Sequence, residues 1–190
     1  MKKKNRFFKS LRFRILIILV ILGIVPSVIV TRMMIGNYEK QAVAVRAGAV
    51  SSQCSILCNQ IIKENYLNDP SSEAVNGKLE MLSNVYGGRI LIVDRDFKIV
   101  KDTYHVDEGK TLVSPKIIRS FKKGEPTDYQ RKGQVIEFAV PVRSADVPQI
   151  QGAMLVTISC SEITATMMEL NYQGLLLIAV IVVLSVFLGY

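Results

Sequence analysis

At 190 residues, 49% hydrophobic and with a net charge of +8, the chain has room for one soluble domain plus short appendages. The charge is confined to one end: Lys2, Lys3, Lys4, Arg6, Lys9, Arg12 and Arg14 have no acid among them, and the rest of the chain carries 17 bases against 16 acids. A nucleic-acid binder needs its basic face on the folded part, so nucleic acid is not an expected partner, and three cysteines are too few for a disulfide framework.

Residues 1–14 read as a cytoplasmic tail, because Lys and Arg beside a span are retained on that side and favour anionic headgroups. Ile15 to Val30 carries no charge. A cleaved signal peptide is the competing reading. No small-x-small site follows promptly, since Ala42-Val43-Ala44 is too far downstream, so residues 15–34 are expected to be an uncleaved signal anchor. Gly174 to Tyr190 is the second uncharged stretch. As a helix it covers only ~25 Å of a hydrocarbon core ~30 Å thick. The expected layout is therefore two passes through the cell membrane: the N-terminus cytoplasmic, residues 35–172 extracytoplasmic, residues 173–190 returning inward. A chain ending there has no output, and the sequence reads as the input half of something larger.

Ile35 to Tyr66 continues out of the first span as one long helix. One stripe, Ile35, Tyr38, Ala42, Val45, Ala49, Ser52 and Ile56, alternates three and four residues apart, as in a heptad seam. A second stripe is Val43, Ala47, Val50, Cys54, Leu57 and Ile61. Either one stripe meets a second subunit and the other the domain's own sheet, or both form a single wide core face. Asn68-Asp69-Pro70-Ser71-Ser72 breaks the helix. A short helix at Lys78–Tyr86 ends at Gly87-Gly88.

The period then changes. Arg89 to Val93 is a buried-strand pattern, Asp94 to Phe97 a turn, and Lys98 to Asp102 the return strand. Thr103 to Val113 is a polar loop. Pro115 suits the first turn of a helix running to Phe121. Pro126–Arg131 reads as a weak edge strand. Gln134–Val142 places Ile136, Phe138, Val140 and Val142 on one face. Ala145 to Pro148 is a hairpin loop, and Gly152–Ser159 the last strand. Ser159 and Glu162 fit a capping box that opens a helix leading into the second span. The fold class is α+β: a long N-terminal helix and five antiparallel strands with helices packed on one face of the sheet, between two transmembrane helices.

This layout resembles the extracytoplasmic Cache, or PAS-like, sensor modules of bacterial receptors, above all the input half of a sensor histidine kinase. The resemblance rests on Arg89-Ile-Leu-Ile-Val-Asp-Arg-Asp-Phe-Lys-Ile-Val-Lys-Asp102, on Phe138-Ala-Val-Pro-Val142 and on Gly152-Ala-Met-Leu-Val-Thr-Ile-Ser159. The family usually has Gly in the first hairpin turn, where this chain has Phe97 or Lys98. The resemblance implies a homodimer, a linker of the HAMP type after the second span, an autophosphorylating kinase beyond it, and a response regulator as its partner. His105, the only histidine, falls in an extracytoplasmic loop and cannot be a phosphoacceptor for cytoplasmic ATP.

No Gly-rich phosphate loop, HExxH or GxSxG occurs, so catalysis within the chain is not expected, nor is a cofactor. A small-molecule or anionic ligand is the more plausible target. In PAS-like modules the pocket lies between the sheet and the elements on its face, here Thr103 to Phe121. Tyr104, His105 and Arg119, with Arg143 at a strand end, are the candidate ligand-binding residues; the alternative for each is a solvated side chain, as in a surface pair of Arg119 with Glu125. Asp94, Asp96 and Asp102 alternate with Arg95, Lys98 and Lys101 and read as a mixed-charge solvent face, not a metal site. Cys54, Cys58 and Cys160 read as small buried apolar residues, with a Cys54 or Cys58 bridge between subunits as the alternative. A chemoreceptor or cyclic-nucleotide enzyme output, or a membrane-anchored interaction module with no small ligand, are the other functional readings.

Overall fold

The structure is a computed structural model that describes residues 11–143 and 149–189. The tail up to residue 10, the loop expected at Ala145–Pro148, and Tyr190 lie outside the described residues. The elements run α1 (Leu11–Lys63), α2 (Glu73–Val85), β1 (Arg89–Asp94), β2 (Ile99–Asp102), α3 (Pro115–Lys123), β3 (Gln130–Lys132), β4 (Val135–Val142), β5 (Gly152–Ser159) and α4 (Ser161–Gly189). Two compact units are present: Ala42–Glu162, and the flanking segments Met1–Gln41 with Ile163–Tyr190.

In the first unit a five-stranded antiparallel sheet is ordered β2-β1-β5-β4-β3. Its side chains alternate in period two, apart from a register shift between β1 and β2 at Ile92–Val93. Leu91, Val93, Ile99, Ala139, Ala153 and Leu155 form one buried cluster with Ile117 of α3, joined by Phe97, Leu112 and Phe121. The other set, Ile90, Ile92, Ile136, Phe138, Val140, Met154, Val156 and Ile158, is also buried, on the side left to α1 and α2, so the expectation of helices on one face is corrected: both faces are apolar and covered. Each such side chain contributes roughly 1.5–3 kcal/mol by leaving water.

The two stripes of α1 part here. Val43, Ala47, Val50, Cys54, Leu57 and Ile61 are buried, along with Val75, Leu79 and Leu82 of α2. Val45, Ala49, Ser52 and Ile56 are exposed. The second stripe is the domain's own core face, and the single-wide-face reading is set aside. All three cysteines are free and buried. Burial pushes the Cys54 and Cys58 thiols up to about 12, so the thiolate needed for bridging is scarce.

Several element bounds differ from the sequence reading. Helix α2 starts at Glu73, five residues before Lys78, because Ser72 caps it by accepting from the Val75 N–H. Strand β3 covers only Gln130–Lys132, although Thr127 N–H still donates to the Ala139 carbonyl. The turn between β1 and β2 holds Phe97 at φ 61°, the left-handed conformation for which Gly is usual. Asp94 stabilises it by accepting from the N–H groups of Asp96 and Lys98, and the Phe97 ring meets Phe121 edge-on at 5.6 Å. At Gly88 a methyl group would lie 2.1 Å from the Thr157 carbonyl oxygen, so no side chain fits where the chain enters β1.

In the second unit, α1 and α4 are each long and apolar enough to cross a membrane. Side chains such as Leu22, Leu176 and Phe187 are exposed. The helices approach closely at two glycines. A methyl at Gly23 would lie 2.6 Å from Ile181 Cγ2, and one at Gly174 would lie 2.5 Å from Thr31 Cγ2. Pro26 sits inside α1, and Ser27 Oγ donates to the Gly23 carbonyl at 2.8 Å.

Candidate functional site

The loop after β2 is organised by Asp102, which is wholly buried. Arg89, at the start of the neighbouring strand, grips it with two parallel bonds, Nε to Oδ1 at 2.9 Å and Nη2 to Oδ2 at 2.6 Å. The N–H groups of Tyr104, Val106 and Asp107 also donate to the carboxylate at 2.9–3.0 Å. Burial alone would raise the Asp102 carboxyl. The Arg89 guanidinium and these N–H groups overcome it and hold the group well below the usual carboxylate range. Arg89 reaches Asp107 as well, and Lys110 completes the chain of charges. The solvent-face reading of Asp102 is therefore corrected: it is the buried anchor of the loop.

Tyr104 and His105 belong to this structure. The Arg89 guanidinium lies 5.6 Å from the centre of the Tyr104 ring. His105 adopts φ 56° and its ring contacts Glu108 and Lys101. Both side chains are more than half exposed.

Arg119 and Arg143 lie elsewhere. β2 ends at the level of Leu91, near the start of β1, whereas β4 ends at Val142, level with Gly152 and so with Asp94 at the finish of β1. The loop bearing Tyr104 and the strand end bearing Arg143 thus leave the sheet at opposite ends, three strand positions or about 14 Å apart laterally. Arg119 is exposed on α3, and Arg143 lays its guanidinium 3.6 Å from where a methyl on Gly124, the left-handed C-cap of α3, would stand. No ion pair joins Arg119 to Glu125 among the described residues. The four candidates form two groups, and the space between α3 and the sheet is filled by apolar side chains.

Two further places were not foreseen. Between α1 and α2 a groove of about 260 Å³ is lined by Gln53, Ile56, Leu57, Gln60, Lys78, Met81 and Leu82. Where the domain's first and last helices begin their outward course, Arg46 pairs with Glu162 at 2.7 Å and lies over the Tyr86 ring. The Tyr86 carbonyl accepts the Ser159 N–H, and Ser159 Oγ accepts from Ser161. The capping box expected of Ser159 and Glu162 is corrected: α4 begins at Ser161, the Ser159 N–H goes to Tyr86 and the Glu162 carboxylate to Arg46, so the two residues join α1, α2, β5 and α4 instead. An Arg and a Glu separated by 116 residues give no local pattern by which to find them.

No family model and no curated protein matches this chain. Among solved structures, it is similar to an extracellular ligand binding receptor from Desulfohalobium retbaense, at 16% identity and a TM-score of 0.54, over 70% of this chain and 26% of that one. It is also similar to the sensor domain of the Vibrio cholerae histidine kinase DctB, at 18% identity and a TM-score of 0.45, over 70% of this chain and 58% of that domain. The chain spans about a quarter of the first of these proteins. The first likeness is one of fold alone.

Proposed function

We propose that this chain is the membrane-bound, signal-sensing input region of a two-component sensor histidine kinase, with a Cache/PAS-like domain outside the cell membrane. The observation that carries this reading is helix continuity in a sensor-type fold. α1 runs unbroken from the apolar stretch to Lys63, and α4 runs from Ser161, beside the last strand, into the second apolar stretch. The N-terminus is cytoplasmic, and α1 and α4 are both anchors in the bilayer and conductors of the signal. A ligand or partner shifts the populations of two arrangements only by its differential affinity for them, and the Arg46–Glu162 junction is where that bias enters both conductors. The kinase and its response regulator act through a cytoplasmic part outside these 190 residues.

The domain pairs with a second copy through Ile35, Tyr38, Ala42, Val45, Ala49 and Ile56. The exposure of Val45 and Ile56 on a helix whose other stripe is already buried supports this seam. A filled core beneath α3 favours a signal read at the surface, by a partner or an exposed anion, over an enclosed small molecule.

The test has two parts. Alkaline phosphatase joined after Lys123 should be active in cells, and joined after Tyr190 inactive; the reverse pattern rejects the topology. Ala49→Cys and Ile56→Cys should each form disulfide-linked dimers in native membranes, because the three natural thiols are buried. Monomer at both positions rejects the seam. Joining the whole chain to a kinase core, with Arg46→Ala altering autophosphorylation, tests the output.

A further inference from the structure

The charges of the domain are sorted. In and beside the loop after β2, cations are paired: Arg89 on Asp102 and Asp107, Lys101 on Glu108, Lys110 on Asp107. Helix α3 has the opposite character. Its sequence, PKIIRSFKK, holds four cations and no acid, and Arg143 adds a fifth from the end of β4, against the C-cap at Gly124. Among the described residues no carboxylate pairs with Arg119, Lys122, Lys123 or Arg143. Lys122 and Lys123 alone have a local reason, since cations suit the last turn of a helix. That reason does not extend to Arg119 or to the strand residue Arg143.

Burial first holds the Lys116 amine below its usual value, Glu137 opposes, and Lys132 and Arg119 add to the lowering. Lys116 Nζ donates to the Glu137 carbonyl oxygen, whereas Arg119, Lys122, Lys123 and Arg143 are exposed. The geometry limits the form of any anion that meets them. Arg119 to Lys123 spans about 6 Å of helix, Arg143 adds a strand end, and together they reach further than one phosphate group; apolar side chains pack between α3 and the sheet.

We propose that this face, Arg119, Lys122, Lys123 and Arg143, is a docking surface for a linear phosphate-bearing polyanion. Phosphates repeating along a chain meet cations one helical turn apart, and each guanidinium fork fits phosphate oxygens. This deepens the sensor reading by naming the partner's chemistry, but binding is measured independently of signalling or topology.

The experiment uses the full chain in zwitterionic nanodiscs, with the other basic cluster neutralised (Lys2→Gln, Lys3→Gln, Lys4→Gln, Arg6→Gln, Lys9→Gln). The probe is inorganic polyphosphate, titrated at low and at physiological salt. Binding is expected, weakening as salt rises. Adding Arg119→Gln, Lys122→Gln, Lys123→Gln and Arg143→Gln should lower affinity about 100-fold or more, at about five-fold per cation near a polyanion, with an unchanged melting temperature. Should that variant fold poorly, Lys122→Gln/Lys123→Gln and Arg119→Gln/Arg143→Gln, made separately, should each lose about 20-fold. Affinity within three-fold of the parent in both pairs (~three-fold being within scatter for a rim charge) overturns the proposal. So does equally tight binding of poly-L-glutamate of matched length, which would make the partner an acidic protein. Orthophosphate competing at equal phosphate concentration would replace the polymer with a single-anion site. Failure of the alkaline phosphatase pattern leaves this binding result standing.

Discussion

The loop after β2 and the far end of α3 contain the same kinds of residue and use them in opposite ways. In the loop, Arg89, Asp102, Asp107 and Lys110 are consumed by one another and by backbone N–H groups. At the end of α3, no carboxylate among the described residues pairs with Arg119 or Arg143. Charge in the first region is architecture, and in the second it is surface offered to the outside. Composition alone treats both as polar loop; only the pairing separates them.

The largest test of that contrast is Asp102→Ala. It leaves the half-buried Arg89 without its main partner and three N–H groups unsatisfied, and should destabilise the domain by about 3–5 kcal/mol, read by chemical unfolding of the full chain. A loss below 1 kcal/mol (~a surface pair's worth) would place the loop with α3 in kind. Acid gives a second, graded test. The Asp102 carboxyl is more acidic folded than unfolded, so the unfolded chain binds protons first as pH falls. Its contribution is fully present above the ordinary carboxylate value of about 4 and drains away below it. Melting followed from pH 6 to pH 2 should show that decline, and Asp102→Asn should flatten it. Tyr104→Ala removes the ring beside Arg89 and should cost about 0.5–1 kcal/mol, making Tyr104 a brace of the loop more than a ligand contact. Smallest of all, Arg119→Gln and Arg143→Gln should each stay within about 0.5 kcal/mol of the parent. A larger loss in either would mean that the basic face, too, is internal structure.

What could be read in advance follows the range of the physics. β5 lies at Gly152–Ser159, where alternation places it, and the first hairpin forms despite lacking its glycine, because Asp94 supplies two hydrogen bonds inside a five-residue window. Local patterns of this sort are written in the sequence. On α1 both stripes have helical spacing, and nothing local says which faces the sheet; burial assigns Val50, Cys54 and Leu57 inward and leaves Ile56 outside. Asp102 escaped notice for the same reason. Its partner is thirteen residues away on another strand, and its role depends on β1–β2 register, which pairs it with Leu91. Strand register also sends Tyr104 and Arg143 to opposite ends of the sheet, so a site assembled from all four candidates could not be judged from spacing.

The two glycine contacts between α1 and α4 set the terms on which those helices can move. Ile181 fills the place of a side chain at Gly23, and Thr31 does so at Gly174. Each helix carries one notch and one tooth, and the two engagements run in opposite senses along the pair. A smooth slide would drive both teeth out together into backbone that has no notch to receive them. A one-turn step meets the same obstacle, since Leu19, Ser27, Leu170 and Ile178 stand one turn from the two notches, so the two helices travel as one rigid pair and a displacement of either is passed to the other.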